Sequence, residues 1–119
     1  MKKIESIKEN YEFRRVYKRG KSCADSFLAV YIFKNYKKIP RLGITVSNKI
    51  DKAVGRNKIR RIIKSAFHLK KASVKNGIDI VVVARTQAKG ASYEQIEKSL
   101  YKNLRKLGVY DEQSSEKTS

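Results

Sequence analysis

Residues 49–68, KIDKAVGRNKIRRIIKSAFH, decide how the rest of the chain is read. Ile59, Ile62, Ile63, Ala66 and Phe67 recur at the spacing that lays one apolar stripe along an α-helix, so the segment predicts a helix packed on one side. At about 100° per residue, Asn57, Arg60, Arg61, Lys64 and His68 fall on the opposite sector, with Arg56 at the flank in the first turns. A merely solvated face would mix signs, yet no carboxylate occurs between Lys52 and Lys71. Arg56 and Arg60, and Arg60 and Lys64, are like charges four residues apart, which slightly destabilise an isolated helix. An anionic partner relieves that repulsion, and arginine is the side chain that forks onto phosphate with two donors.

Composition points the same way. The chain of 119 residues carries 29 Lys and Arg against 11 Asp and Glu, a net charge of +18. Solubility needs far less, and self-repulsion on this scale is offset best by a polyanion, of which nucleic acid is the commonest. The length suits one domain, expected over residues 1–110. A membrane partner is disfavoured, because the apolar run 78–84 is too short to span and contains Asp79. The MKK start lacks a secretory hydrophobic segment, and the single Cys23 can form no internal disulfide. A reducing, cytoplasmic setting is expected.

Working outward, Asn10 reads as a helix N-cap, followed by Phe13, Val16 and Tyr17 on one face and Gly20 past the end. Residues 2–9 show no clean period and read as an extended arm. Residues 26–33 (SFLAVYIF) read as a strand, with Leu28, Val30 and Ile32 on one face and Phe27, Ala29, Tyr31 and Phe33 on the other. Residues 35–40 (NYKKIP) form a turn, and residues 41–47 (RLGITVS) a strand whose second face is small and polar. That face, with Tyr31, Phe33 and an aromatic helix beside it, is either ordinary core or a shallow groove on which unstacked bases rest; composition alone does not choose. Residues 79–84 read as a buried central strand. Ser92 and Gln95 make a capping box for a last helix with Tyr93, Ile96, Leu100, Leu104 and Leu107 on its apolar face, stopped at Gly108. Residues 111–119 contain no apolar side chain and are expected to be a disordered polar tail. The class is α+β, with helices gathered on one face of a four-stranded mixed sheet.

No catalytic constellation emerges. His68 is the only histidine and sits on the basic helix, where a polar contact is the simpler role than a general base. Glu12, Asp25 and Asp51 are scattered rather than paired for a metal, and Asp51 is placed to open the basic helix at its positive end.

Residues 53–67, AVGRNKIRRIIKSAF, resemble the RNR signature helix of the protein subunit of bacterial ribonuclease P. The resemblance extends, in order and spacing, through residues 11–20 (YEFRRVYKRG), 22–24, 41–47, 79–85 (DIVVVAR) and the helix of residues 92–107. It implies an αβββαβα two-layer sandwich similar to ribosomal-protein S5 domain 2, with a left-handed βαβ crossover around the basic helix, where the generic rule favours the opposite hand. It implies a ribonucleoprotein in which the RNA subunit is the catalyst and the polypeptide breaks no bond. Arg56, Asn57, Lys58, Arg60, Arg61 and Lys64 would dock that RNA, and Phe13, Tyr17 and Tyr31 would line the cleft for the 5′ leader of precursor tRNA. Mg²⁺ would be held mainly by RNA and substrate, and one monomeric protein would serve one RNA. Three departures stand out: Lys58 replaces the second arginine of the motif and gives up its fork, Asn48 replaces a lysine, and Asp51-Lys52 replaces a Gly-Asn pair. The rival readings are a ribosomal or general RNA-binding module without a leader groove, a self-sufficient nuclease, and, weaker, a DNA-binding helix-turn-helix protein.

Overall fold

The computed structural model describes residues 2–111. In chain order the elements are β1 (Glu5–Ser6), α1 (Asn10–Arg19), β2 (Lys21–Ala24), β3 (Leu28–Lys34), β4 (Arg41–Thr45), α2 (Ala53–Leu69), β5 (Ile78–Ala84) and α3 (Tyr93–Lys106). They build one sheet in the order β1-β4-β5-β3-β2. β4 runs parallel to β5 and to β1, while β3 is antiparallel to both β5 and β2.

β5 is the central strand that its β-branched run predicts, with Ile80, Val81 and Val82 fully buried. Because side chains alternate across a strand, the register sorts them into two faces. Val30 and Val82 are partners and face one way, together with Leu28, Ile32, Leu42 and Ile80. Against that face pack Ile59, Ile63, Ala66 and Phe67 of α2 and Ile96, Leu100 and Leu104 of α3. The α2 stripe is thus buried as its spacing predicts, except that Ile62 at its edge is only half-buried. The capping box of α3 forms as expected, the Gln95 N–H donating to Ser92 Oγ and the Ser92 N–H to Gln95 Oε1. Buried Tyr101 donates its hydroxyl to the carbonyls of Ala66 and Phe67 at 2.5 and 2.9 Å, joining α3 to the last turns of α2.

The other face carries Tyr31, Val81 and Gly43 in register, and α1 crosses it. Val16 packs there with Ile7 and Val81 in a second, smaller core that Phe13, Tyr31, Phe33 and Val83 border. This corrects the expectation that all helices share one face: α2 and α3 make the two-layer body with the sheet, and α1 lies on the reverse side. The reason lies in β3, β4 and β5, whose reverse sides are apolar enough to need partial cover.

Three further expectations shift. The arm supplies β1, so the strands number five rather than four; Glu5 N–H donates to Pro40 O and Ile7 N–H to Leu42 O. Asn10 is the first residue of α1 and not its cap, since Glu9 occupies that position with extended backbone and no side-chain bond. Asp111, counted with the polar tail, donates its N–H to Ser73 O at 3.1 Å; the rest of the expected tail, residues 112–119, lies outside the described residues.

Candidate nucleic-acid interface

α2 positions its cations by burying the other side. With Ile59, Ile63 and Phe67 held in the core, Asn57, Lys58, Arg60, Arg61 and Lys64 are exposed and Arg56 is half-buried. Among the described residues, none of Arg56, Lys58, Arg60, Arg61 and Lys64 forms an ion pair. Asp51 sits ahead of the first turn as its charge predicts, accepting from the Lys52 N–H at 2.7 Å and pairing with Lys89 at 3.6 Å. Gly55 lets the Asp51 side chain lie against the first turn, since a Cβ there would displace its carboxylate. His68 is exposed, and partial burial together with the charges of Lys71 and Lys64 lowers its pKa. It is therefore neutral at pH 7, a polar neighbour on a cationic face.

On the reverse side of the sheet the three singled-out aromatics come together. Tyr17 meets Tyr31 edge-on with centroids 5.0 Å apart, and Phe13 lies 6.5 Å from Tyr17. Tyr17 is 37% exposed, its hydroxyl 2.9 Å from Thr45 Oγ1, while Phe13 and Tyr31 are half-buried. Ala29, Thr45 and Val83 beside them are also only partly covered. The result is a row of rings over a small-residue sheet surface open to solvent, on which bases can stack. Gly43 makes room for it: a Cβ there would stand 2.6 Å from Phe13 Cε1.

A buried polar network, absent from the reading of the sequence, fixes α1 at this angle. Asp79 of β5 is 0% exposed and receives Arg41 Nε at 2.7 Å, Arg41 Nη2 at 2.6 Å and Asn35 Nδ2 at 2.8 Å. Arg41 Nη1 reaches Glu12 of α1 at 2.6 Å. Burial alone would raise the Asp79 pKa, but the hydrogen bonds from Arg41 and Asn35 outweigh it and hold the carboxyl below its ordinary range. The Arg41 pKa is correspondingly raised, first by its bond to Asp79. Glu12 adjoins Phe13 in sequence, so the network ties the ring row to two strands. The available signal was an aspartate inside the apolar run IDIVVVA, since a buried charge demands a partner.

The two surfaces meet at the sheet edge, where Phe13 and Gly43 from one side and Lys64 and His68 from the other line a hollow of 340 Å³. An unpaired cationic helix beside solvent-open rings defines an RNA-binding protein of the α+β class. The comparisons with known proteins agree. The family model described as Ribonuclease P matches residues 1–108. The ribonuclease P protein component of Clostridium kluyveri is 45% identical over 106 residues, covering 87% of this chain and 95% of that one. Among solved structures, the RNase P protein of Staphylococcus aureus superposes with a TM-score of 0.84 at 40% identity, covering 92% of this chain and 100% of that chain. That of Thermotoga maritima gives 0.76 at 29% identity, covering 82% and 93%. The chain belongs to the ribonuclease P family, the protein component of the RNA-based endoribonuclease that processes tRNA 5′ ends.

Proposed function

We propose that within this ribonucleoprotein the chain divides two tasks between its two surfaces. Arg56, Asn57, Lys58, Arg60, Arg61 and Lys64 dock the catalytic RNA subunit, and Phe13, Tyr17 and Tyr31 hold the single-stranded 5′ leader of precursor tRNA. The observation that carries this reading is the juxtaposition of a carboxylate-free helix face with rings that the fold leaves partly uncovered. The cations replace counterions along RNA phosphates, and the rings offer stacking worth about 1–3 kcal/mol per base. Only the precursor has a leader, so only the precursor gains the second set of contacts.

The RNA subunit supplies the chemistry, and Mg²⁺ is held mainly by RNA and substrate. The protein's part is positioning and charge compensation. The protein acts as a monomer, one per RNA, in the cytoplasm. Reconstitution with a bacterial ribonuclease P RNA at low Mg²⁺, using precursors with and without a leader, tests the whole reading. Added protein is expected to raise cleavage, most for the leader-bearing precursor. Phe13→Ala and Tyr31→Ala should weaken precursor binding selectively, and Arg60→Ala should weaken docking of the RNA subunit and flatten its salt dependence. Equal loss for precursor and mature tRNA in the ring variants refutes the cleft, and indifference to leader length favours a general RNA-binding module.

A further inference from the structure

A second groove lies at the opposite end of the sheet, where β3 ends and β5 begins. Its volume is 620 Å³, within the range of small-ligand sites. Ile32, Phe33, Ile78 and Leu107 contribute apolar lining. Arg19, Lys21, Lys34, Lys37 and Lys75 also line it, and no carboxylate does among the described residues. Among the described residues, Lys37 alone of these cations has an acidic partner, Glu5 at 3.8 Å, which lies outside the groove lining. Tyr36 lines the same groove, 87% exposed, with Lys34 Nζ 5.8 Å from its ring centroid. Its backbone lies in the left-handed region, at φ 61°. A tyrosine pays for neither feature by packing, since almost all of the ring faces water.

An apolar recess, a carboxylate-free cationic rim and an uncovered ring are together what an unstacked nucleotide needs: a place for the base, a face to stack on and charge for the phosphates. We propose that this groove receives a splayed-out nucleotide of the catalytic RNA subunit, as a second docking point. The inference rests on the reading that α2 docks that RNA. The path favours the RNA subunit over the leader. α2 leads from the end of β4 toward the start of β5, and the residues that follow it in sequence include Lys70, Lys71 and Lys75, of which Lys75 lines the groove. The leader cleft is different. Its ring Tyr31 pairs with Val81, and Lys34 pairs with Ile78 three residue pairs further along, about 10 Å at strand rise. α1 spans the two, with Phe13 and Tyr17 at the cleft and Arg19 of its last turn at the groove.

The test measures equilibrium binding of the full chain to ribonuclease P RNA without substrate, then affinity for precursor and mature tRNA in the reconstituted particle. Tyr36→Asn removes the ring while keeping a residue that tolerates positive φ; Tyr36→Phe retains the ring; Lys34→Gln with Lys75→Gln removes two rim charges. Tyr36→Asn is expected to weaken RNA-subunit binding at least fivefold and Tyr36→Phe less than twofold. The double lysine variant should flatten the salt dependence by about 1.5 logarithmic units per decade. The ratio of precursor to mature tRNA affinity should stay constant throughout. Unchanged RNA-subunit affinity while Arg60→Ala weakens it overturns the groove alone. Loss confined to leader-bearing precursor assigns the groove to the leader and overturns the proposal. If Arg60→Ala is also silent, the docking role of α2 fails with it. Urea midpoints matching the parent exclude unfolding as the cause, and the lysine pair tests the rim independently of the loop.

Discussion

Replacing Arg41 by methionine tests the network that holds α1. The side chain of similar length keeps the packing but removes three contacts: two to Asp79, at 2.7 and 2.6 Å, and one to Glu12 at 2.6 Å. Asp79 then retains the Asn35 hydrogen bond at 2.8 Å and the nearby charge of Arg15, with no exposure to water. Orphaning one partner of a buried pair costs about 3–5 kcal/mol, against a total stability of about 5–15 kcal/mol for a domain. In urea, with a slope near 2 kcal/mol per molar, the midpoint should fall by roughly 2 M. Adding Asp79→Asn removes the stranded charge and should recover part of the loss. The pH dependence checks the sign. In the parent the Asp79 pKa is depressed, so its contribution is present above the unfolded carboxylate value and is lost as pH falls through the folded one. Without Arg41, burial dominates and raises the folded pKa, so the penalty grows as pH rises. The deficit of Arg41→Met relative to the parent should therefore shrink from pH 7 toward pH 4. A loss below about 1 kcal/mol, constant over that range, would refute the assignment of Arg41 as the clamp.

Gly43→Ala places a methyl 2.6 Å from the Phe13 ring and forces it to move; an overpacking cost of about 1–3 kcal/mol is expected, with reduced discrimination for precursor tRNA in a binding titration and unchanged affinity for the RNA subunit. Tyr101→Phe leaves two buried carbonyls without their donor and should cost about 1–3 kcal/mol by chemical denaturation. Ser92→Ala removes one half of the capping box and should cost about 1 kcal/mol with RNA binding unaffected.

Much of this was legible in advance because it depends on local spacing. The stripe of Ile59, Ile63 and Phe67 fixes both the helix and which of its sides is cationic, and Ser92 with Gln95 marks where α3 starts. The aromatic row was legible only in part: Phe13 and Tyr17 share a helix face, but spacing does not say whether water reaches them. What escaped is decided by tertiary partners. β1 is two residues long and exists because the outer side of β4 needs hydrogen bonds, not because Glu5 and Ser6 favour a strand. Arg41 and Asp79 stand far apart in the sequence and meet only through the parallel register of β4 and β5. The side of the sheet taken by α1 follows from the uncovered apolar surface of Val81 and Tyr31, which no single segment displays.

The brevity of β1 carries its own consequence. Its bonds to Pro40 and Leu42 cap a margin of β4 that would otherwise present bare donors and acceptors to any passing chain. The same few residues that complete the sheet thus act as a guard against self-templated association at concentrations where the protein waits for its RNA. Trimming them would bare that margin and leave the chain prone to pair along it.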